Sequence, residues 1–194
     1  SLNMLTPDVV TVNTKFGGGQ LVVSGIYPLG NDVNVAVNTA RQHHIYKEYV
    51  IEFRVPVNTQ LKSVEVNGAE VEYTTNKRGY VSVKRTWKPG DRMRILLDYR
   101  LRADIQTGVG GKKWVAFSYG PLALAQRITA DEHPEPFAGM ALDTPEARKA
   151  LLAGFDKKMS DGVPHFTVGN TGVVLMPYSY AGSKESGPRT YFAL

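Results

Sequence analysis

Apolar and polar residues alternate with a period of two along much of the chain, and this alternation predicts β-strands. The clearest case is residues 32–38, where Val33, Val35 and Val37 fall on one face and Asn34 and Asn38 on the other. The same kind of pattern predicts further strands over residues 8–13, 20–27, 49–55, 63–66, 71–73, 79–84, 92–97, 114–119 and 123–128, and short ones near 166–168, 173–176 and 190–192.

Turn residues separate these segments. Asn67-Gly68 lies between two alternating runs and predicts a hairpin with a type I′ turn, which needs positive φ at both central residues. Lys88-Pro89-Gly90-Asp91 predicts a second hairpin between residues 79–84 and 92–97. Gly17-Gly18-Gly19 is interpreted as another hairpin turn, because no Gly-Lys-Ser/Thr follows to make a phosphate loop.

One helix is predicted late in the chain. Thr144 is suited to the N-cap, Pro145 to the first helical position, and Gly154 lies near the expected end. Residues 129–143 and 181–188 are predicted to be loops. Many short strands with one helix predict an all-β fold, an antiparallel β-sandwich of jelly-roll type with one short α-helix near the C-terminus. We expect residues 1–125 to form the sandwich core and residues 126–194 to pack on the same sandwich, as one domain.

Composition narrows the function classes. The apolar content of 42% and the charged content of 21% are those of an ordinary globular protein. The net charge of +5 is spread along the chain without a basic block, which gives no support to a nucleic-acid partner. No run of about 18 apolar residues is present, so no membrane span is expected. The chain has no Cys, which excludes disulfides, Cys-ligated zinc and a thiolate nucleophile.

The candidates for catalysis or metal binding are few. Asp131-Glu132-His133-Pro134-Glu135 could supply a general acid or metal ligands, although solvated surface charge is the favoured interpretation in such a Pro-containing stretch. His43, His44 and His165 lack the spacing of a zinc site. We therefore predict no catalytic residue, no metal site and no cofactor for this chain.

Carbohydrate binding is the more open possibility. Val115 and Phe117 are expected to point inward, so Trp114 should point outward. An outward Trp is a platform for a sugar ring, a surface covered by another domain, or a side chain buried under the C-terminal helix. Tyr46, Tyr49 and Tyr80 are lesser candidates for sugar contact. Trp87 falls on the same side of its extended segment as Val81 and Val83, so it is expected in the core.

Basic residues offer a second surface. Lys84, Arg92, Arg94 and Arg100 could line one sheet face and suit an acidic polysaccharide. Alternating charge on a solvated sheet face is the favoured interpretation.

The order of several short motifs carries a family resemblance. The motifs are Tyr27-Pro28, the alternating Val33, Val35 and Val37, Ile51-Glu52-Phe53-Arg54-Val55-Pro56, Val66-Asn67-Gly68, Gly79-Tyr80-Val81, Trp87, Gly90-Asp91 and Tyr119-Gly120-Pro121-Leu122. From about residue 20 to 125 this order resembles the β-sandwich region of glycoside hydrolase family 127, the β-L-arabinofuranosidase-like enzymes. Leu175-Met176-Pro177-Tyr178 and Tyr191-Phe192 look similar as well.

What the resemblance implies is chiefly a scaffold. The family's active site lies in an upstream (α/α)6 barrel and uses a cysteine nucleophile beside a zinc bound by cysteines and a glutamate, and this chain offers no matching positions. The resemblance therefore implies a non-catalytic accessory domain that packs on a parent catalytic barrel, with sugar contact or homodimer contact as further roles. It also implies a bacterial, periplasmic or extracellular location.

Two alternatives remain open. The chain could be an independent carbohydrate-binding module for plant-type polysaccharides or oligosaccharides. It could also be a small stand-alone glycosidase with a carboxylate pair. The start at Ser1 favours a part of a longer protein over a whole one.

Overall fold

The computed structural model describes residues 2–14, 17–39, 48–129, 135–183 and 186–194. These form two compact units, residues 1–99 and residues 100–194. Each unit is built from antiparallel strands, which confirms the predicted all-β, sandwich-like class. The jelly-roll connectivity and the packing of the whole chain as a single sandwich stay predictions.

The first unit contains two sheets. The larger is six-stranded, in the order β1 (Asp8–Thr14), β2 (Gly17–Gly25), β3 (Asp32–Thr39), β9 (Arg92–Tyr99), β5 (Thr59–Val66) and β6 (Ala69–Glu70). The smaller is three-stranded, in the order β4 (Glu48–Arg54), β8 (Tyr80–Thr86) and β7 (Thr74–Thr75). Each sheet buries one face, because apolar side chains alternate with polar ones along its strands.

The buried positions of the first unit follow this alternation. Val33, Met93 and Ile95 of the six-stranded sheet are inaccessible to solvent, and so is Phe53 of the three-stranded sheet. Trp87, which follows β8 with the parity of Val81 and Val83, is also buried. Its expected place in the core is confirmed.

The second unit is organised around one eight-stranded sheet. Its main path is β10 (Leu101–Thr107), β11 (Lys113–Tyr119), β12 (Leu122–Thr129), β15 (Val174–Pro177), β14 (Val163–Val168) and β13 (Phe155–Ser160). Two short strands complete it: β16 (Ser186–Arg189) pairs with β12, and β17 (Phe192–Ala193) pairs with β11. A 3₁₀ turn (Val109–Gly111) joins β10 to β11, and the helices are α1 (Pro145–Ala153) and α2 (Tyr178–Ala181).

Aromatic rings fill the core of the second unit. The ring of Phe117 lies 5.2 Å from those of Phe137 and Phe155 and 6.0 Å from that of Phe192, measured between centroids. Such tilted contacts are the favoured geometry for aromatic pairs. Apolar side chains of α1 pack against this cluster, so the helix covers one side of it.

Two local predictions are confirmed in detail. The helix begins at Pro145, and the hydroxyl of Thr144 accepts a hydrogen bond from the Ala147 N–H at 3.2 Å. Asn67 and Gly68 have φ values of 53° and 82°, as a type I′ turn requires. Neither described helix is long and apolar enough to cross a membrane.

Other predictions were wrong. Gly17-Gly18-Gly19 belongs to β2 and pairs with β1, because glycine can also adopt extended backbone. Residues 71–73 lie outside the strands, and residues 186–188, predicted as a loop, pair with β12 through β16. The turn at Lys88–Asp91 does not close a hairpin, since β8 and β9 belong to different sheets.

Candidate functional site

Trp114 lies in β11 on the face opposite to the buried Val115 and Phe117, as the alternation predicted. Its side chain is half-buried. The benzo ring lies close against Gly108, where any Cβ atom would clash with the ring. Glycine at position 108 therefore allows the indole to rest against the backbone of the β10–β11 connection, which restricts the orientation of the ring.

The strand register shows what surrounds Trp114. Gln106 of β10 and Ala193 of β17 lie directly opposite Trp114, and Asp104 lies opposite Ala116. Residues directly opposite one another share a sheet face, and so do residues two apart on one strand. We call this surface the Trp114 face, and it comprises Arg102, Asp104, Gln106, Trp114, Ala116, Ser118 and Ala193.

An ion pair lies at one end of the Trp114 face. The Nε and Nη2 groups of Arg102 both donate to Oδ1 of Asp104, each at 2.7 Å. Within the ranges that the structure describes, Oδ2 of Asp104, the side-chain amide of Gln106 and the indole N–H of Trp114 have no hydrogen-bond partner. The Trp114 face thus offers one ring and three unengaged polar groups.

A groove of about 780 Å³ adjoins this face between β10 and α1. One wall includes Arg102 and Asp104, and the other includes Arg148 and Lys149. Arg148 is held in place, because its Nη1 donates to the carbonyls of Leu142 at 2.8 Å and Asp143 at 2.9 Å. The groove is lined by three cationic side chains and one carboxylate, so it carries a positive charge.

The sequence pointed to Trp114 but not to its neighbours. The alternation of Leu101, Ala103 and Ile105 with Arg102 and Asp104 is a strand signal that could have placed the polar pair on one face. Their position beside Trp114 depends on the β10–β11 register, which only the structure shows.

The tyrosine candidates lie elsewhere, in the first unit. Tyr49 shares the parity of the buried Ile51 on β4, whereas Tyr80 of β8 lies opposite Arg54 on the other face of the same sheet. The hydroxyl of Tyr80 donates to Oδ1 of Asn3 at 2.8 Å. Tyr49 and Tyr80 therefore do not form one platform. Their roles in sugar contact, and that of Tyr46, which lies outside the described residues, stay predictions.

The predicted row of basic residues is not one surface. Lys84 lies in the three-stranded sheet, whereas Arg92 and Arg94 lie in the six-stranded sheet. The prediction failed because it assumed that β8 and β9 pair. Lys84 lies 3.0 Å from Glu48, and the Nη2 of Arg94 lies 2.7 Å from Asp32. Arg100 falls after β9, at the start of the second unit.

Glu135 is the one member of the predicted acidic cluster that the structure describes. Its Oε1 accepts a hydrogen bond from Nη2 of Arg189 at 2.7 Å, and its Oε2 accepts one from the Ala193 N–H at 3.3 Å. This carboxylate therefore holds the C-terminal strands. Residues 131–134, including Asp131, Glu132 and His133, lie outside the described residues.

The histidines add no metal centre to this picture. Nδ1 of His165 lies 3.0 Å from the carbonyl of Val163, while His43 and His44 lie outside the described residues. Across the described ranges, no three His, Asp or Glu side chains come together as metal ligands would.

Asp91 is a buried charged residue whose role the sequence indicated only as turn chemistry. It is 6% exposed, and its carboxylate accepts hydrogen bonds from the Lys88 N–H and the Asn67 amide, each at 2.8 Å. Burial raises the pKa of Asp91, but these bonds and the charges of Arg85 and Lys88 outweigh it, so the pKa lies below its ordinary value.

Asn67 completes this contact between two turns. Its Oδ1 accepts a hydrogen bond from the Arg92 N–H at 2.9 Å, and its own N–H donates to the Arg92 carbonyl at 2.9 Å. The Asn67-Gly68 turn and the Lys88–Asp91 turn are therefore joined by side chains. Two of the motifs that carry the family resemblance meet here, and their function is structural.

Most of the first unit matches a known protein family. Residues 8–99 match the family described as "Beta-L-arabinofuranosidase, GH127 middle domain". The matched range starts and ends earlier than the stretch of about residues 20–125 over which the motifs resembled the family. Comparison with proteins of curated function gave no match.

Solved structures with a similar fold cover nearly the whole chain. A glycoside hydrolase shares 18% identity over 95% of this chain, with a TM-score of 0.59. A GH127 β-L-arabinofuranosidase from Geobacillus stearothermophilus T6 shares 13% over 98%, with a TM-score of 0.63. A GH127 β-arabinofuranosidase shares 16% over 96%, with a TM-score of 0.55.

The chain spans about a third of the length of these solved structures, at 34%, 33% and 33% respectively. At these identities the likeness shows a common fold. The resemblance predicted from the motif order is confirmed: residues 8–99 of this chain match the GH127 middle-domain family.

Proposed function

We propose that this chain is a non-catalytic accessory region of a GH127-like glycoside hydrolase and packs on a catalytic (α/α)6 barrel in the parent protein. The observation that carries the proposal is the match of residues 8–99 to a family described as a middle domain. The similar solved structures support it, since two thirds of their length is left for other domains.

The roles of the well-defined carboxylates also support the proposal. Asp91 joins two turns, Glu135 holds the C-terminal strands, and Asp32 pairs with Arg94. Each of these acids is engaged in holding the fold. A glycosidase of the two-carboxylate type requires two carboxyl groups about 5–9 Å apart that are free to act on one bond.

The accessory region acts in this proposal through packing. An interface with a catalytic barrel would bury an apolar centre within a polar rim, as stable domain contacts do. Homodimer contact and a periplasmic or extracellular location rest on the family resemblance, and both stay predictions.

The parent reading frame and an activity assay together test the proposal. We expect the gene to encode a helical barrel with clustered cysteines in the same frame. We expect the full-length product to hydrolyse an aryl β-L-arabinofuranoside, while the purified 194-residue chain releases no sugar.

Two outcomes would overturn it. One is a reading frame with no barrel. The other is turnover by the purified chain that Glu135→Gln abolishes while Glu70→Gln, an exposed acid replaced in the same way, leaves it intact. That second result would instead support a stand-alone glycosidase.

A further inference from the structure

We propose that the Trp114 face is a binding site for a neutral saccharide, with one sugar ring stacked on the indole of Trp114. This goes beyond the accessory role and does not depend on it, because the site lies wholly within residues 102–193 of the second unit.

The indole of Trp114 is held in one orientation before any ligand binds. The benzo ring of Trp114 rests on Gly108, where no side chain intervenes. A ring held before the ligand arrives loses little conformational freedom when it binds, which favours affinity. The flat apolar face of an indole matches the C–H groups on one side of a pyranose or furanose ring.

Polar groups without an intramolecular partner among the described residues lie beside the ring. In the described part of the chain, the indole N–H of Trp114, the amide of Gln106 and Oδ2 of Asp104 have no hydrogen-bond partner. They include donors and acceptors, and sugar hydroxyl groups are both. Ligand sites of this kind combine an apolar surface with a few polar groups that fix orientation.

Small side chains lie on two sides of the indole. Ala116 and Ala193 flank Trp114 on the same face, one two residues along β11 and the other directly opposite on β17. Their methyl groups are the smallest side chains with a Cβ atom, so the surface beside the indole is low. On these two sides a ligand of sugar size meets no side chain larger than a methyl group.

The charged side chains of the Trp114 face favour an uncharged ligand. Arg102 and Asp104 form an ion pair at 2.7 Å, so the charged residues of the Trp114 face compensate each other. A neutral saccharide is favoured over a uronic acid polymer at this face. The adjoining groove, with Arg148 and Lys149 on its second wall, would favour an anionic chain instead.

Calorimetric titration of the full chain tests the proposal with three probes: linear arabinan, arabinogalactan and polygalacturonate. We expect one of the two neutral polymers to bind and Trp114→Ala to weaken that binding by about tenfold or more. Gln106→Ala should weaken it about fivefold, because one hydrogen-bonding partner is lost. Tyr178→Ala, which removes an exposed ring elsewhere in the same unit, should have no effect.

A second measurement does not require an alanine variant to fold. The chain has two tryptophans, so Trp87→Phe leaves Trp114 as the sole source of indole fluorescence. We expect the bound neutral polymer to shift this emission at the concentrations that give heat. A flat titration with all three polymers, binding that Trp114→Ala leaves unchanged, or tighter binding of polygalacturonate than of either neutral polymer would each overturn the proposal.

Discussion

Replacing Asp91 with alanine should destabilise the first unit by about 2–4 kcal/mol. The carboxylate is 6% exposed and accepts two hydrogen bonds of 2.8 Å, from the Lys88 N–H and the Asn67 amide. Each hydrogen bond to a charged group contributes about 1.5–3 kcal/mol, and the donors left behind lose their buried partner. Urea denaturation at neutral pH measures the loss when it is followed by the fluorescence of the buried Trp87 in a Trp114→Phe background, where Trp87 is the sole tryptophan.

The same carboxylate should make the stability depend on pH. Its pKa is lower in the folded state than the unfolded value of about 3.9, so the folded state favours the ionised form. The contribution is complete above the unfolded pKa and is lost as the pH falls through the lower folded pKa. Denaturation midpoints can be measured from pH 6 downward. Below about pH 4 they should fall less steeply with pH in the Asp91→Asn variant than in the unsubstituted chain.

Matched variants distinguish this contact from general loss of charge. Glu70→Gln removes an exposed carboxylate of the six-stranded sheet and should change the free energy of unfolding by less than about 0.5 kcal/mol. Combining Asn67→Ala with Asp91→Ala should cost less than the sum of the two single changes, since both remove one shared hydrogen bond. Additive losses, or an Asp91→Ala loss no larger than that of Glu70→Gln, would refute the reasoning.

Three further changes test other contacts. Thr144→Ala should cost about 1 kcal/mol by removing the N-cap of α1, whereas Thr144→Ser should retain most of it, as thermal unfolding can show. Glu135→Gln should replace the ion pair with Arg189, whose side chain is only 15% exposed, by a neutral hydrogen bond, and should speed hydrogen exchange at the Ala193 amide. Unchanged exchange would argue against an anchoring role. Gly68→Ala should cost about 1 kcal/mol or more in the unfolding free energy, because its φ of 82° is strained for any L side chain, and a neutral result would contradict the type I′ assignment.

The strands that could be predicted are those with one buried face. In β3 the alternation is complete, since Val33 and Val35 are inaccessible to solvent while Asn34 is exposed. Strand β13 (Phe155–Ser160) gives no such signal: Phe155 is half-buried and the other five residues are exposed, because the strand lies at the edge of the eight-stranded sheet. An edge strand in solvent has little apolar patterning for a sequence to reveal.

Turn chemistry predicts that a chain turns but not which strands it joins. Asn67-Gly68 and Lys88–Asp91 both carry strong turn residues, yet the first closes a hairpin between β5 and β6 and the second connects two sheets. The difference lies in the partner that each following strand finds, which is a non-local choice. The predicted basic surface failed for the same reason, because Lys84 and Arg94 were placed together on the assumption of one hairpin.

The candidate site shows the same limit at the level of single residues. Period-two alternation was enough to place Trp114 on the face opposite Val115, because that inference needs only one strand. A ligand contacts several strands at once, and the neighbours of Trp114 come from β10 and from β17 at the far end of the chain. Gly108 shows why register matters chemically: its missing side chain is meaningful only because the indole lies against it. A substitution there should therefore alter binding through the orientation of the ring, so Gly108→Ala and Trp114→Ala should impair the same titration although only one removes the aromatic surface.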